Sequence, residues 1–131
     1  MDIQTTQAAA TPPVIRRADY RPPLWQVPQI SLDFDLDARA TRVKARLEVT
    51  RVGNHAQPLR LDGEGLTPLR VTVDGRALAP SDWRLEDGAL LIPLTGDSHV
   101  VETEVEINPA ANTQLMGLYA SGGLLCTQCE P

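Results

Sequence analysis

From Ile30 the chain alternates strictly, with Ile30, Leu32, Phe34 and Leu36 apolar and Ser31, Asp33, Asp35 and Asp37 polar between them. Successive side chains of a strand point to opposite faces, so this spacing predicts a half-buried β-strand. The pattern repeats after a polar turn at 37–41, with Val43, Ala45, Leu47 and Val49 on one face and Arg42, Lys44, Arg46 and Glu48 on the other. The outer face is acidic on the first strand and mostly basic on the second. Antiparallel pairing would set opposite charges across from each other, at roughly 0.2–1 kcal/mol a pair, which selects register more than it supplies stability. The rest of this charge pattern reads as a solvated sheet face.

Shorter strands follow at the spacing of an all-β domain. Leu59 and Leu61 precede a Gly-rich turn, Asp62-Gly63-Glu64-Gly65, and Leu69, Val71 and Val73 alternate with Arg70, Thr72 and Asp74. Asp74-Gly75 and Asp87-Gly88 are hairpin turns by composition. Trp83 and Leu85 open another run, 89–94 returns, and Val101, Thr103, Val105 and Ile107 oppose Val100, Glu102, Glu104 and Glu106. No window of about 12 residues offers a helical face. The reading is all-β: about seven to eight antiparallel strands, packed as a sandwich or a strongly curved, saddle-like sheet.

Residues 1–29 differ, carrying Pro12, Pro13, Pro22, Pro23 and Pro28 without sustained periodicity. This predicts an extended Pro-rich arm, flexible over 1–19, with a single β-domain over 20–131. Tyr20, Leu24, Trp25 and Val27 are the candidates to pin its second half to a core.

The 131 residues leave room for one core. Twelve basic against seventeen acidic residues, net −5, argue against nucleic acid or an anionic membrane as partner. No apolar run is long enough to span a bilayer, and the first residues lack the basic and apolar regions of a secretory signal, so the expected location is cytoplasmic. His55 and His99 are too far apart for a helical HExxH zinc motif and, being in or beside polar loops, are read as surface histidines.

The tail, 108–131, breaks the alternation. Cys126 and Cys129 form one Cys-x-x-Cys pair, whereas a structural zinc ribbon takes four ligands. In an extended segment these two point to opposite faces, so free structural thiols are the simpler reading. Gln128 and Glu130 lie two apart and share a face there. An amide oxygen beside a carboxylate suits an ammonium group, although a solvated strand edge accounts for the same residues.

The run Asn108-Pro109-Ala110-Ala111-Asn112-Thr113, then Gly117-Leu118-Tyr119, Ser121-Gly122 and Cys126-Thr127-Gln128-Cys129-Glu130, resembles the segment near the end of the N-terminal β-domain of bacterial aminopeptidase N, a zinc aminopeptidase of the gluzincin group. Asp19-Tyr20-Arg21-Pro22-Pro23, Leu32-Asp33-Phe34-Asp35-Leu36-Asp37 and Pro58-Leu59-Arg60-Leu61-Asp62-Gly63-Glu64 resemble that family's opening strands. The resemblance implies that Glu130 helps hold the free α-ammonium of a bound peptide and that Gln128 lines the same pocket. It also implies that the zinc-binding HExxH, the GxMEN loop and the catalytic tyrosine lie downstream, so that the β-domain is C-terminally truncated here and contains no catalytic residue or metal ligand. The implied partners are a peptide with a free N-terminus and the downstream catalytic domain of the same polypeptide; zinc is expected in the full-length parent and not in this chain, which is expected to be inactive alone. The alternative is a stand-alone cytoplasmic β-sandwich that binds a partner protein through an edge strand or its Gly-rich loops.

Overall fold

The computed structural model describes residue 14 and residues 16–129. The expected flexible arm, 1–19, therefore lies largely outside the described residues. Among those described the chain forms ten strands: β1 (Trp25–Asp35), β2 (Thr41–Arg51), β3 (Leu59–Asp62), β4 (Thr67–Val73), β5 (Arg76–Ala77), β6 (Arg84–Glu86), β7 (Ala89–Ile92), β8 (Ser98–Ile107), β9 (Gly117–Ser121) and β10 (Leu124–Gln128). They pair antiparallel into a five-stranded sheet ordered β1-β2-β8-β4-β5, a three-stranded sheet β3-β7-β6 and a two-stranded sheet β9-β10. Beyond the strands expected, the structure adds the two-residue β5 and the β9–β10 hairpin in the tail.

The charged face obeys the register that alternation demanded. Asp33 stands opposite Lys44 and Asp35 opposite Arg42; β8 then answers with Glu104 opposite Lys44 and Glu106 opposite Arg42, and Arg70 on β4 faces Glu104. Charge changes sign at each step across four strands. The β1–β2 turn is closed locally: backbone N–H groups of Arg39 and Ala40 donate to Asp37 Oδ1 at 2.8 and 3.0 Å and hold its carboxyl below the usual carboxylate range. Buried Thr41 accepts from the Asp37 N–H.

The apolar face is covered unevenly. Leu47, Val49, Val71 and Val101 of the large sheet pack against Leu59, Leu90, Ile92 and Leu94 from β3, β7 and the residues after it, forming a two-layer core. β7, the middle strand of the small sheet, is buried at all four positions, as its unbroken apolar run demands. The core takes in Trp25 at the start of β1 but none of the strand after it. Ile30, Leu32, Phe34 and Leu36, expected on a half-buried strand, remain 46–57% exposed.

β1 also begins earlier than its alternation suggested. Between Gln26 and Gln29 it carries one residue more than β2, a bulge centred on Pro28, which has no N–H to give to a ladder. The extra residue restores phase: Trp25 and Ile30, an odd number apart, both face the inner side. Trp25 is the arm residue that enters the core, whereas Tyr20, Leu24 and Val27 stay exposed.

Candidate functional site

The tail hairpin presents the predicted binding residue Gln128, and its local sequence explains its shape. Asn108 accepts from the Ala111 N–H at 3.2 Å through Oδ1, closing a 3-10 turn at Pro109–Ala111 whose proline is buried. The Ala110 N–H donates to the Ala38 carbonyl at 2.8 Å, tying that turn to the β1–β2 loop. Asn112 then clamps the following loop: Nδ2 donates to the carbonyls of Met116 at 2.7 Å and Leu118 at 2.9 Å, while Oδ1 accepts from the Gln114 N–H at 3.1 Å. Gly122 and Gly123, both with positive φ, make the two-residue turn between β9 and β10. The resembling block thus shapes its own turn, loop and hairpin.

In this hairpin Cys126 faces Tyr119 and Gln128 faces Gly117, the first residue of β9. Gln128 is exposed and ends β10. Glu130, the predicted ammonium-binding carboxylate, lies outside the described residues, so its geometry beside Gln128 is not part of the structure. Cys126 is half-buried, Cys129 exposed, and both are free thiols.

A second cluster was not anticipated from the residues. Leu47, Val49 and Arg51 share the inner face of β2, and Val49 faces His99 on β8. His99 is therefore not a surface histidine: its side chain is 9% exposed. Nδ1 lies 2.6 Å from Asp74 Oδ2 and donates to that carboxylate, while Nε2 accepts from the Gly96 N–H at 2.9 Å. Asp74 also accepts from the Val100 N–H at 2.9 Å; that bond, then the one from His99, holds its carboxyl below the usual range. His55, half-buried, takes the other tautomer: Nδ1 accepts from the Gln57 N–H at 3.0 Å and Nε2 donates to the Leu24 carbonyl at 2.8 Å. Trp25 lies between the two imidazoles, with ring centroids 5.7 Å from His55 and 6.3 Å from His99. The phase of β8 was the available signal, since His99 has the parity of Val101, Thr103 and Val105.

This cluster is structural. Every ring nitrogen of His55 and His99 already has a partner, and among the described residues no three His, Cys, Asp or Glu side chains are grouped to hold a metal. These residues do not fit a zinc site.

Comparison with known proteins identifies relatives. No family model matches the chain. It is 45% identical over 120 residues, 92% of its length, to aminopeptidase N of Caulobacter vibrioides, and 45% identical over 114 residues to aminopeptidase N of Escherichia coli. The Haemophilus influenzae aminopeptidase N is 39% identical over 118 residues. The chain spans only 13–14% of the length of these relatives. Its fold superposes on the crystal structure of Legionella pneumophila aminopeptidase A in complex with aspartic acid with a TM-score of 0.74 at 27% identity, covering 82% of this chain and 13% of that one. Native yeast LTA4 hydrolase shares the fold, with a TM-score of 0.58 at 16% identity over 72% of this chain and 16% of its own. The resemblance drawn from the tail block and the opening strands is borne out.

Proposed function

We propose that this chain, a homologue of aminopeptidase N along about one seventh of that protein's length, is the N-terminal β-domain of a zinc metallo-aminopeptidase that removes single residues from peptide N-termini. The observation that carries the reading is the 45% identity over nearly the whole chain. The domain caps the active site and contributes to binding the substrate α-ammonium. Glu130 supplies the anion and Gln128 a second acceptor.

Zinc, where the complete enzyme holds it, polarises the scissile carbonyl and activates water. In this reading the zinc ligands belong to the remainder of the polypeptide, and the present residues bind and orient the peptide. The 131-residue chain is inactive alone. Two free thiols suit a reducing compartment such as the cytoplasm.

Glu130→Gln in the complete enzyme tests the assignment. Truncating one partner of a desolvated charge pair costs about 2–5 kcal/mol, so KM for free-amine aminoacyl amides rises by about thirtyfold or more. An unchanged KM removes the role from Glu130. The 131-residue chain, assayed with the same amides and added zinc, turns over nothing above buffer; chelator-sensitive turnover would overturn its proposed inactivity.

A further inference from the structure

A cleft of about 290 Å³ opens beside the small sheet, lined from the residues before β3, the 3-10 turn Pro80–Asp82, β6 and the end of β7. None of its lining residues belongs to the tail hairpin. Pro58, Trp83, Leu91 and Pro93 give it an apolar lining, and Asp82 and Arg84 flank Trp83 with opposite charges. Three of these groups have bonding capacity left over. Trp83 is half-buried against the core, yet its indole N–H makes no hydrogen bond among the described residues, whereas that of Trp25 donates to the Gln57 carbonyl at 3.1 Å. A half-buried indole N–H ordinarily finds an acceptor, because leaving it unpaired forfeits the water it had in the unfolded chain. Asp82 accepts from the Ala79 N–H at 3.2 Å through Oδ2, and its Oδ1 has no partner among the described residues. Arg84 Nε lies 3.4 Å from Glu86 Oε2 with both side chains more than half exposed, a pair that solvent weakens and a ligand can displace.

Charge selects the occupant. A simple anion at Arg84 would meet the Asp82 carboxylate, and a simple cation at Asp82 would meet the Arg84 guanidinium; a zwitterion satisfies both. The volume lies at the lower end for small-molecule sites, about 300–1,000 Å³, so it suits a ligand the size of one amino acid. We propose that this cleft binds a free α-amino acid with an apolar side chain. Its carboxylate accepts from the Trp83 indole N–H and the Arg84 guanidinium, its ammonium donates to Asp82 Oδ1, and its side chain lies against Pro58, Leu91 and Pro93. Free amino acids are also the product class of the reaction proposed above, but the binding rests on the cleft alone and not on that reading.

The two indole N–H resonances of isotope-labelled 131-residue chain report Trp25 and Trp83 separately. Titration with L-leucine is expected to shift the Trp83 resonance saturably, with a Kd at or below about 10 mM, and to leave that of Trp25 in place. L-Leucinamide, which lacks the carboxylate, and 4-methylpentanoate, which lacks the ammonium, should each bind at least about tenfold more weakly. Arg84→Gln and Asp82→Asn, both at exposed positions, should weaken leucine binding by at least about the same factor, with amide resonances across β7 checking that each variant is folded. The comparison of ligands uses the unaltered protein and holds even where a variant does not fold. Absence of a saturable shift overturns the proposal, as does equal binding of the three ligands or unchanged affinity in both variants. Loss of the shift in Glu130→Gln would assign the ligand to the tail and overturn it as well. None of these readouts depends on peptidase activity, so they stand or fall separately from the proposed function.

Discussion

The guanidinium of Arg51 lies over the ring of Trp25, its central carbon 4.6 Å from the ring centroid. Its side chain is 9% exposed, and it donates from Nε to Asp97 Oδ1 at 3.0 Å, from Nη2 to the Gly96 carbonyl at 2.8 Å and from Nη1 to the His55 carbonyl. One arginine thus joins the arm, the β2 end and both loops that close the core. A planar fork makes all these contacts at once and an ammonium cannot. Arg51→Lys is expected to lower stability by about 1–2 kcal/mol and Arg51→Ala by about 2–3 kcal/mol, read from urea unfolding midpoints. A neutral Lys variant would show that the fork geometry carries nothing.

The uneven cover of the large sheet separates two otherwise similar apolar residues. Ile92 is fully buried and Leu32 is half exposed. Ile92→Ala should cost about 2–5 kcal/mol, whereas Leu32→Ala in the 131-residue chain should stay within about 0.5 kcal/mol of wild type. Equal losses at the two sites would mean that the stripe on β1 is covered in solution.

Asp74 makes acid sensitivity testable. Its folded carboxyl titrates below the ordinary value of 3.8, chiefly through the Val100 N–H and then His99. A lowered folded value means stabilisation that is complete above the unfolded value and lost as pH falls through the folded one. Between about pH 5 and about pH 2 the wild-type urea midpoint should fall more steeply than that of Asp74→Asn. Parallel profiles would remove Asp74 as a source of the acid sensitivity.

The hairpin turn of the tail needs both its glycines. Gly123 sits at φ +81° with open space where a Cβ would stand, so substitution strains the backbone without a clash. Gly123→Val should destabilise the β9–β10 pairing by about 1–2 kcal/mol. Faster exchange of the amides in Leu124–Gln128, with little change in the global unfolding midpoint, is the expected signature of a hairpin forming its own sheet.

Alternation and turn composition were enough to place most strands. Asp74-Gly75 and Asp87-Gly88 both adopt the positive-φ pair that a two-residue hairpin requires, and Asp33 does face Lys44. The tail hairpin escaped because Leu118, Leu124 and Leu125 do not alternate cleanly with polar residues, although Gly122-Gly123 was a turn signal of the same kind. What period alone cannot convey is which apolar face finds a cover. Leu32 and Leu47 read alike along the chain, yet one is exposed and the other buried, because that depends on where a non-adjacent sheet docks. The bulge at Pro28 likewise reverses the phase of everything before it, which is why Trp25, and not Val27, reaches the core. Of the proposed site, Gln128 was singled out by type and spacing and stands at the end of β10, while the asparagines that shape the tail, Asn108 and Asn112, were visible only as part of a resembling block.

Asn112 fixes the hairpin at its open end, close to Gly117 and the strand partner facing it, Gln128. A cantilever bends most at its tip and least at its root. Thermal motion should therefore concentrate at Gly122 and Gly123 and leave Gln128 in the stiff part of the arm, so a ligand reaching it meets a side chain whose backbone has little freedom left to lose.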